Sequence, residues 1–190
     1  MRTPRLKVAI KAAPRPQDSW LNGLSPVDYA DTYRAEWRSG RQFPAEEMLI
    51  AIFCRPPAWL MGLYKIRNWL VKLLRVEAET VGEGSGPPTE KLAGAIRAGA
   101  SFRAFSVPFK SPAETVLLGK DRHLDFYLSI QTGQGGDGQQ WTTAATLVRY
   151  HNAAGRRYFF FVRPVHRLIV PMMMKRAIRA LEGAPPALPA

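Results

Sequence analysis

From Val27 to Trp37 the chain reads VDYADTYRAEW and its side chains alternate. Tyr29, Asp31, Tyr33, Ala35 and Trp37 fall on one face, with Asp28, Ala30, Thr32, Arg34 and Glu36 on the other. A period of two is that of a half-buried β-strand. After the turn SGRQF the period changes. Pro44 suits a first helical position, where its missing N–H costs nothing, and Glu46 and Glu47 suit the positive end of a helix dipole. A helix is therefore predicted to about Cys54, ended by Pro56 and Pro57. In the following AWLMGLYKIRNWLVKLLRV, Lys65, Asn68, Lys72 and Arg75 recur at steps of three and four. That spacing predicts a second helix with one narrow polar stripe and the remainder buried.

Residues 77–101 are rich in Gly and small polar residues, which predicts a long loop with at most one short helical turn. Strand-like runs follow: FRAFSVPFK, ETVLLG, RHLDFYLSIQT and QQWTTAATLVRYHN, the last two joined by the turn GQGGDG. They read as an antiparallel meander. From Gly155 to Gly183 apolar and basic residues fall at helical spacing, with Lys175, Arg176 and Arg179 near the end, where cations favour the dipole. A long terminal helix is expected, broken or kinked at Pro164 or Pro171. The first 26 residues, basic and carrying Pro4, Pro14, Pro16 and Pro26, read as a loosely held arm, and residues 183–190 as a disordered tail. A single domain over residues 27–182 remains.

Strand, two helices, antiparallel strands and a helix make an α+β order in which one apolar sheet face must be covered, and the terminal helix is the natural cover. This is the order of the helix-grip fold, a curved antiparallel sheet around a long C-terminal helix with a cavity between them. Five strands are counted, fewer than that fold usually has.

Composition adds limits. The 190 residues are 46% hydrophobic and 11% aromatic, too apolar for a chain disordered along its length. The lone Cys54 can form neither an internal disulfide nor a thiolate metal site, which suits a reducing cytoplasm. No apolar run reaches the length of a spanning helix, and none near the N-terminus has the form of a signal peptide. The formal charge is +12. It is concentrated at the ends: Arg2, Arg5, Lys7, Lys11 and Arg15 precede the first acid, and Arg149 to Arg179 holds eight cations and no acid. Such a field favours anionic partners, including an anionic membrane surface, without specifying one. No motif for reading nucleic acid interleaves aromatics with Lys and Arg on a strand pair, so no specific nucleic acid is expected.

Three stretches carry a resemblance: LGKDRHLDF at 118–126, RYHNAAGRRYFFFVRPVHRLIV at 149–170 and DYADTYR at 28–34. The chain resembles an uncharacterised bacterial domain-of-unknown-function family, found alone or fused to short-chain-dehydrogenase-like domains. That family is similar to START-type and polyketide-cyclase-like helix-grip proteins. The resemblance implies a sheet-and-helix cavity for a small apolar or amphipathic ligand, with no cofactor. The chain departs from the family in its basic arm and its Gly-rich loop.

The densest polar constellation is Arg122, His123, Asp125 and Tyr127 with Arg149, His151 and Asn152, which neighbouring antiparallel strands would bring together. A His with an Asp two positions away suits a general base, and a nearby Arg suits an anion. A polyketide-cyclase-like enzyme using His123 and Asp125 follows from that reading. The plainer one is a solvated sheet face with ordinary cross-strand pairs, His151 and Asn152 capping the terminal helix. Arg163, His166 and Arg167 share one helical face, a patch for phosphate or carboxylate or simply a solvated one. Trp59, Met61, Trp69 and Met172 to Met174 would line a pocket or fill a core. Three scattered His residues make no metal-binding spacing, and Cys54 lies in an apolar context where a thiol is packing.

Overall fold

A computed structural model of the protein describes residues 6–54, 62 and 90–183. The predicted second helix, with Trp59, Met61 and Trp69, lies outside the described residues except for Gly62, as does nearly all of the predicted tail.

Among the described residues, six strands form one antiparallel sheet: β1 (Ala9–Ala12), β2 (Tyr29–Arg38), β3 (Phe105–Lys110), β4 (Glu114–Lys120), β5 (Leu124–Gln134) and β6 (Gln139–Tyr150). Their order is β1-β2-β6-β5-β4-β3. The last four are the expected meander, and β2 closes onto β6 along its length, with Tyr29 opposite Val148 and Trp37 opposite Gln140. The β5–β6 turn is tight because Asp137 and Gly138 both take left-handed backbone conformations. The fold is the α+β one read from the sequence: a curved, open antiparallel sheet with a long C-terminal helix packed across it.

The described helices are α1 (Ala45–Phe53), α2 (Glu90–Ala98) and α3 (Ala153–Gly183). Pro44 stands at the N-cap position, one residue before the first helical position expected of it, and Glu46 and Glu47 lie in the first turn of α1. The main core joins the inner sheet face to Met48, Leu49 and Ile50 of α1, Leu92, Ala93 and Ile96 of α2, and Met173, Met174, Ala177, Ile178 and Leu181 of α3. Met174 and Ile178 are fully buried there. The end of α3 is tied to the sheet side: Trp37 Nε1 donates to Glu182 Oε1 at 2.8 Å, and Arg41 donates to the Leu181 carbonyl at 3.2 Å.

Three expectations change. The stretch expected as a loop contains the nine-residue α2, because Leu92, Ala93 and Ile96 make an apolar stripe despite Gly94. The helix α3 is continuous over 31 residues, with both prolines inside it. Pro164 leaves the Phe160 carbonyl without its helical donor, but both residues are on the exposed side, where water can bond it. The segment expected as a loose arm contributes the sixth strand, β1, and a short 3-10 turn at Trp20–Gly23. Leu21 of that turn is fully buried against Val116, Ala145 and Leu147 on the outer sheet face. A buried carboxylate anchors it. Glu114 accepts from Ser19 Oγ at 2.7 Å and Ser129 Oγ at 2.6 Å through one oxygen, and from the Trp20 N–H at 2.9 Å through the other.

Candidate functional site

Because side chains alternate along β2, Asp31 shares the inner face with Tyr29, Tyr33, Ala35 and Trp37, and α3 crosses that face. An acid on an apolar face under a helix must be paired. Its partner is His166, whose Nε2 lies 3.2 Å from Asp31 Oδ2 and 3.3 Å from Oδ1. The Tyr29 hydroxyl donates to Oδ2 at 2.6 Å, and Arg167 Nε donates to that hydroxyl at 3.4 Å. Arg163, one turn earlier on α3, sets its guanidinium 5.3 Å from the Tyr29 ring centre. Phe159 closes the cluster toward the sheet end, 4.8 Å from the Tyr29 ring.

The electrostatics follow from this packing. Burial opposes the charge on Asp31, yet the hydrogen bond and charge attraction from His166, supported by the bond from Tyr29, outweigh it and hold the carboxyl below its ordinary range. Burial first, and the adjacent Asp31 second, push the Tyr29 phenol up to about 12. Asp31 is thus an anion, with Tyr29 as a neutral donor to it. The Asp31 carboxylate orients the imidazole of His166, an arrangement that suits either proton transfer or the fixed presentation of a donor. Arg163 and Arg167 remain exposed at the cluster's rim.

The seam beside the cluster is apolar. Phe126 packs against both the main core and the smaller cluster of Tyr29, Leu124, Val148 and Phe159. On α3, Val162 packs against the smaller cluster and Ile169 against the main core, and all three are only partly buried.

The other sequence-derived candidates gather elsewhere. Tyr127 packs against Leu21, Val116 and Leu147 on the outer face, so Asp125, Tyr127 and Arg149 alternate to the side away from α3, while His123, just before β5, lies at the sheet end beside the start of α3. Asp125 stands opposite Arg149 in the ladder, and its carboxylate pairs with His151 at 3.2 Å. His123 pairs with Asn152, its Nδ1 3.0 Å from Asn152 Nδ2 and 3.2 Å from Oδ1. Asn152 also caps α3, its Oδ1 accepting from the Gly155 N–H at 3.0 Å, while its amide donates to the Arg122 carbonyl at 3.4 Å. Thus Arg122, His123, Asp125, Tyr127, Arg149, His151 and Asn152 form one group at the sheet end and outer face. Arg163 and His166 belong to the inner cluster.

Tyr29 and Asp31 were not singled out by the sequence reading. The signal for them was Asp31 itself, an acid on a face otherwise made of Tyr, Ala and Trp. Among the described residues no group of three His, Cys, Asp or Glu is placed to hold a metal ion. Among the described residues, too, no helix is long and apolar enough to cross a membrane.

A family model, described as Protein of unknown function (DUF2867), matches residues 24–173. The chain belongs to that family. The match spans the elements that build the inner cluster, from β2 through most of α3, so the seam is part of the DUF2867 domain. No curated protein and no solved structure matches this DUF2867 chain.

Proposed function

We propose that this DUF2867 domain binds a small amphipathic molecule with an anionic group, held in the seam between the inner sheet face and α3. The observation that carries the reading is the Tyr29–Asp31–His166 cluster set between sheet and helix, with Arg163 and Arg167 at its rim. Guanidinium groups suit a carboxylate or phosphate bidentately. Phe126, Val162 and Ile169 offer the ligand's apolar body a partly buried wall beside them. The helix-grip-like order of elements supports the same reading, as that fold encloses ligands between sheet and terminal helix.

Native mass spectrometry of the purified full chain tests it, with a titration by a dansylated long-chain carboxylate as probe. A retained small molecule, lost on denaturation, is expected, together with saturable probe binding that Arg163→Gln/Arg167→Gln weakens at least tenfold, at about tenfold for each charge-assisted bond lost. A chain that carries no adduct, and binds the probe equally with or without the two arginines, would overturn the proposal.

A second reading, acid–base catalysis, is favoured by one observation: the His166–Asp31 pair with a tyrosine hydroxyl on the same carboxylate. The acid–base pair is then His166 with Asp31 rather than His123 with Asp125, whose side chains meet Asn152 and His151 respectively. If the domain turns its ligand over, His166→Gln should retain a molecule of different mass from the wild type. Identical retained masses in both proteins would count against catalysis.

A further inference from the structure

The side of α3 that faces away from the sheet is apolar over three turns. Phe161, Val165, Leu168 and Met172 follow one another at steps of four, three and four, so they line one stripe, with Phe160 at its margin. All are exposed, Phe160 to 71% and Leu168 to 68%. The opposite side of the helix is the one that packs, through Phe159, Met173, Ala177 and Ile178. Such a run of large apolar side chains on the outside of a folded domain marks a contact surface.

The charges at its ends say which kind. Arg156 and Arg157 lie just before the stripe, and Lys175, Arg176 and Arg179 just after it, all exposed. From Arg149 to Leu181 the chain contains no acid. A second observation continues the surface: an open groove of about 430 Å³ lined by Leu6, Lys7, Val8, Ala9, Lys175 and Arg179. Its floor is apolar and the charged side chains lining it are all cations.

We propose that this outer face of α3, together with the groove beside Lys175 and Arg179, docks on an anionic lipid surface. The apolar stripe would enter the boundary between headgroups and acyl chains, while the cations at either end meet lipid phosphates. A second copy of the chain fits less well, because both ends of the stripe are positive and pairing two stripes, in either direction, sets cations against cations. A nucleic-acid backbone would satisfy the cations and leave Phe161, Leu168 and Met172 without a partner. The inference does not depend on the proposed ligand seam, since these side chains point away from it.

Co-sedimentation of the full chain with phosphatidylcholine vesicles, with and without phosphatidylglycerol, is the test. Binding is expected only to the anionic vesicles, with release at high salt. Lys175→Glu/Arg179→Glu should weaken partition at least tenfold, at about fivefold per cation lost near an anionic surface. Phe161→Ser/Leu168→Ser should weaken it comparably through lost insertion, and because both positions are exposed the variant should keep its fold, checked by circular dichroism. Sedimentation that is absent, equal with neutral vesicles, or unchanged in both variants overturns the proposal. So does a concentration-dependent dimer that Phe161→Ser/Leu168→Ser abolishes without vesicle binding, or binding to a short DNA duplex with none to vesicles.

Discussion

Replacing Gly155 by alanine probes how α3 is seated on the sheet. A Cβ at Gly155 would lie 2.1 Å from the His123 carbonyl oxygen, where ordinary contact begins at 3.4 Å, so helix and strand end must part by about 1.3 Å. The obstacle is backbone, and it is held: the His123 carbonyl accepts from the His151 N–H at 2.9 Å. Overpacking of this kind costs ~1–3 kcal/mol. Parting the elements also strains the Asn152 cap on the Gly155 N–H, worth ~1 kcal/mol. Against this, alanine gains ~1 kcal/mol of helix propensity over glycine. The net expectation is a destabilisation of about 2 kcal/mol. Gly94 in α2 is a matched control, because a Cβ there meets nothing within 4 Å. The same change at Gly94 should stabilise by ~0.5–1 kcal/mol from propensity alone. Urea denaturation of the full chain, read by circular dichroism, gives both values. If Gly155→Ala matches or exceeds the wild type in stability, α3 does not start against the His123 carbonyl and the seam geometry fails with it.

Asp31→Asn should cost about 2 kcal/mol by weakening the bonds from His166 and Tyr29, measured by the same denaturation at neutral pH. Because folded Asp31 ionises below its unfolded value, its contribution is present above pH ~4 and disappears as pH falls through the folded value; the acid limb of the stability profile should therefore be shallower in Asp31→Asn. At the other extreme, Tyr29 with its phenol pushed up to about 12 should be among the last tyrosines to ionise, and that step in the phenolate absorbance should vanish in Tyr29→Phe. The unfolded chain ionises this group first, so stability should fall as pH rises from about 10 toward 12. Glu114→Ala strips the acceptor from two hydroxyls and a backbone N–H, and a loss of about 3 kcal/mol is expected. Limited proteolysis should then cut near residues 13–18 faster than in the wild type.

How much of this was legible depends on the element. The alternation in VDYADTYRAEW located β2 and its inner face correctly, because a period of two persists through eleven residues. The four-residue β1 has no such length, and lies among prolines that imitate a loose arm; only pairing with β2 makes it a strand. Gly94 disguised α2, whose apolar spacing is present but short. For α3 the helical spacing is clear, and the sequence does not show that Pro164 falls on the exposed side of the helix, where its missing bond costs little, because that setting is a tertiary fact. At the site, the spacing of Arg163, His166 and Arg167 placed them on one helical face. Asp31, the partner of His166, lies 135 residues away, and which strand runs beneath which turn of a helix is decided by packing, not by local pattern.

The edges of the sheet constrain how copies of this domain can meet. At one border β3 carries Pro108, which has no N–H to offer, and its register with β4 shifts between Ser106 and Phe109. At the other border β1 is only four residues long. Neither margin is a good template for an added strand, so growth into ribbons or fibrils through the backbone is discouraged. Assemblies of this protein, whatever their members, are left to form through side-chain surfaces.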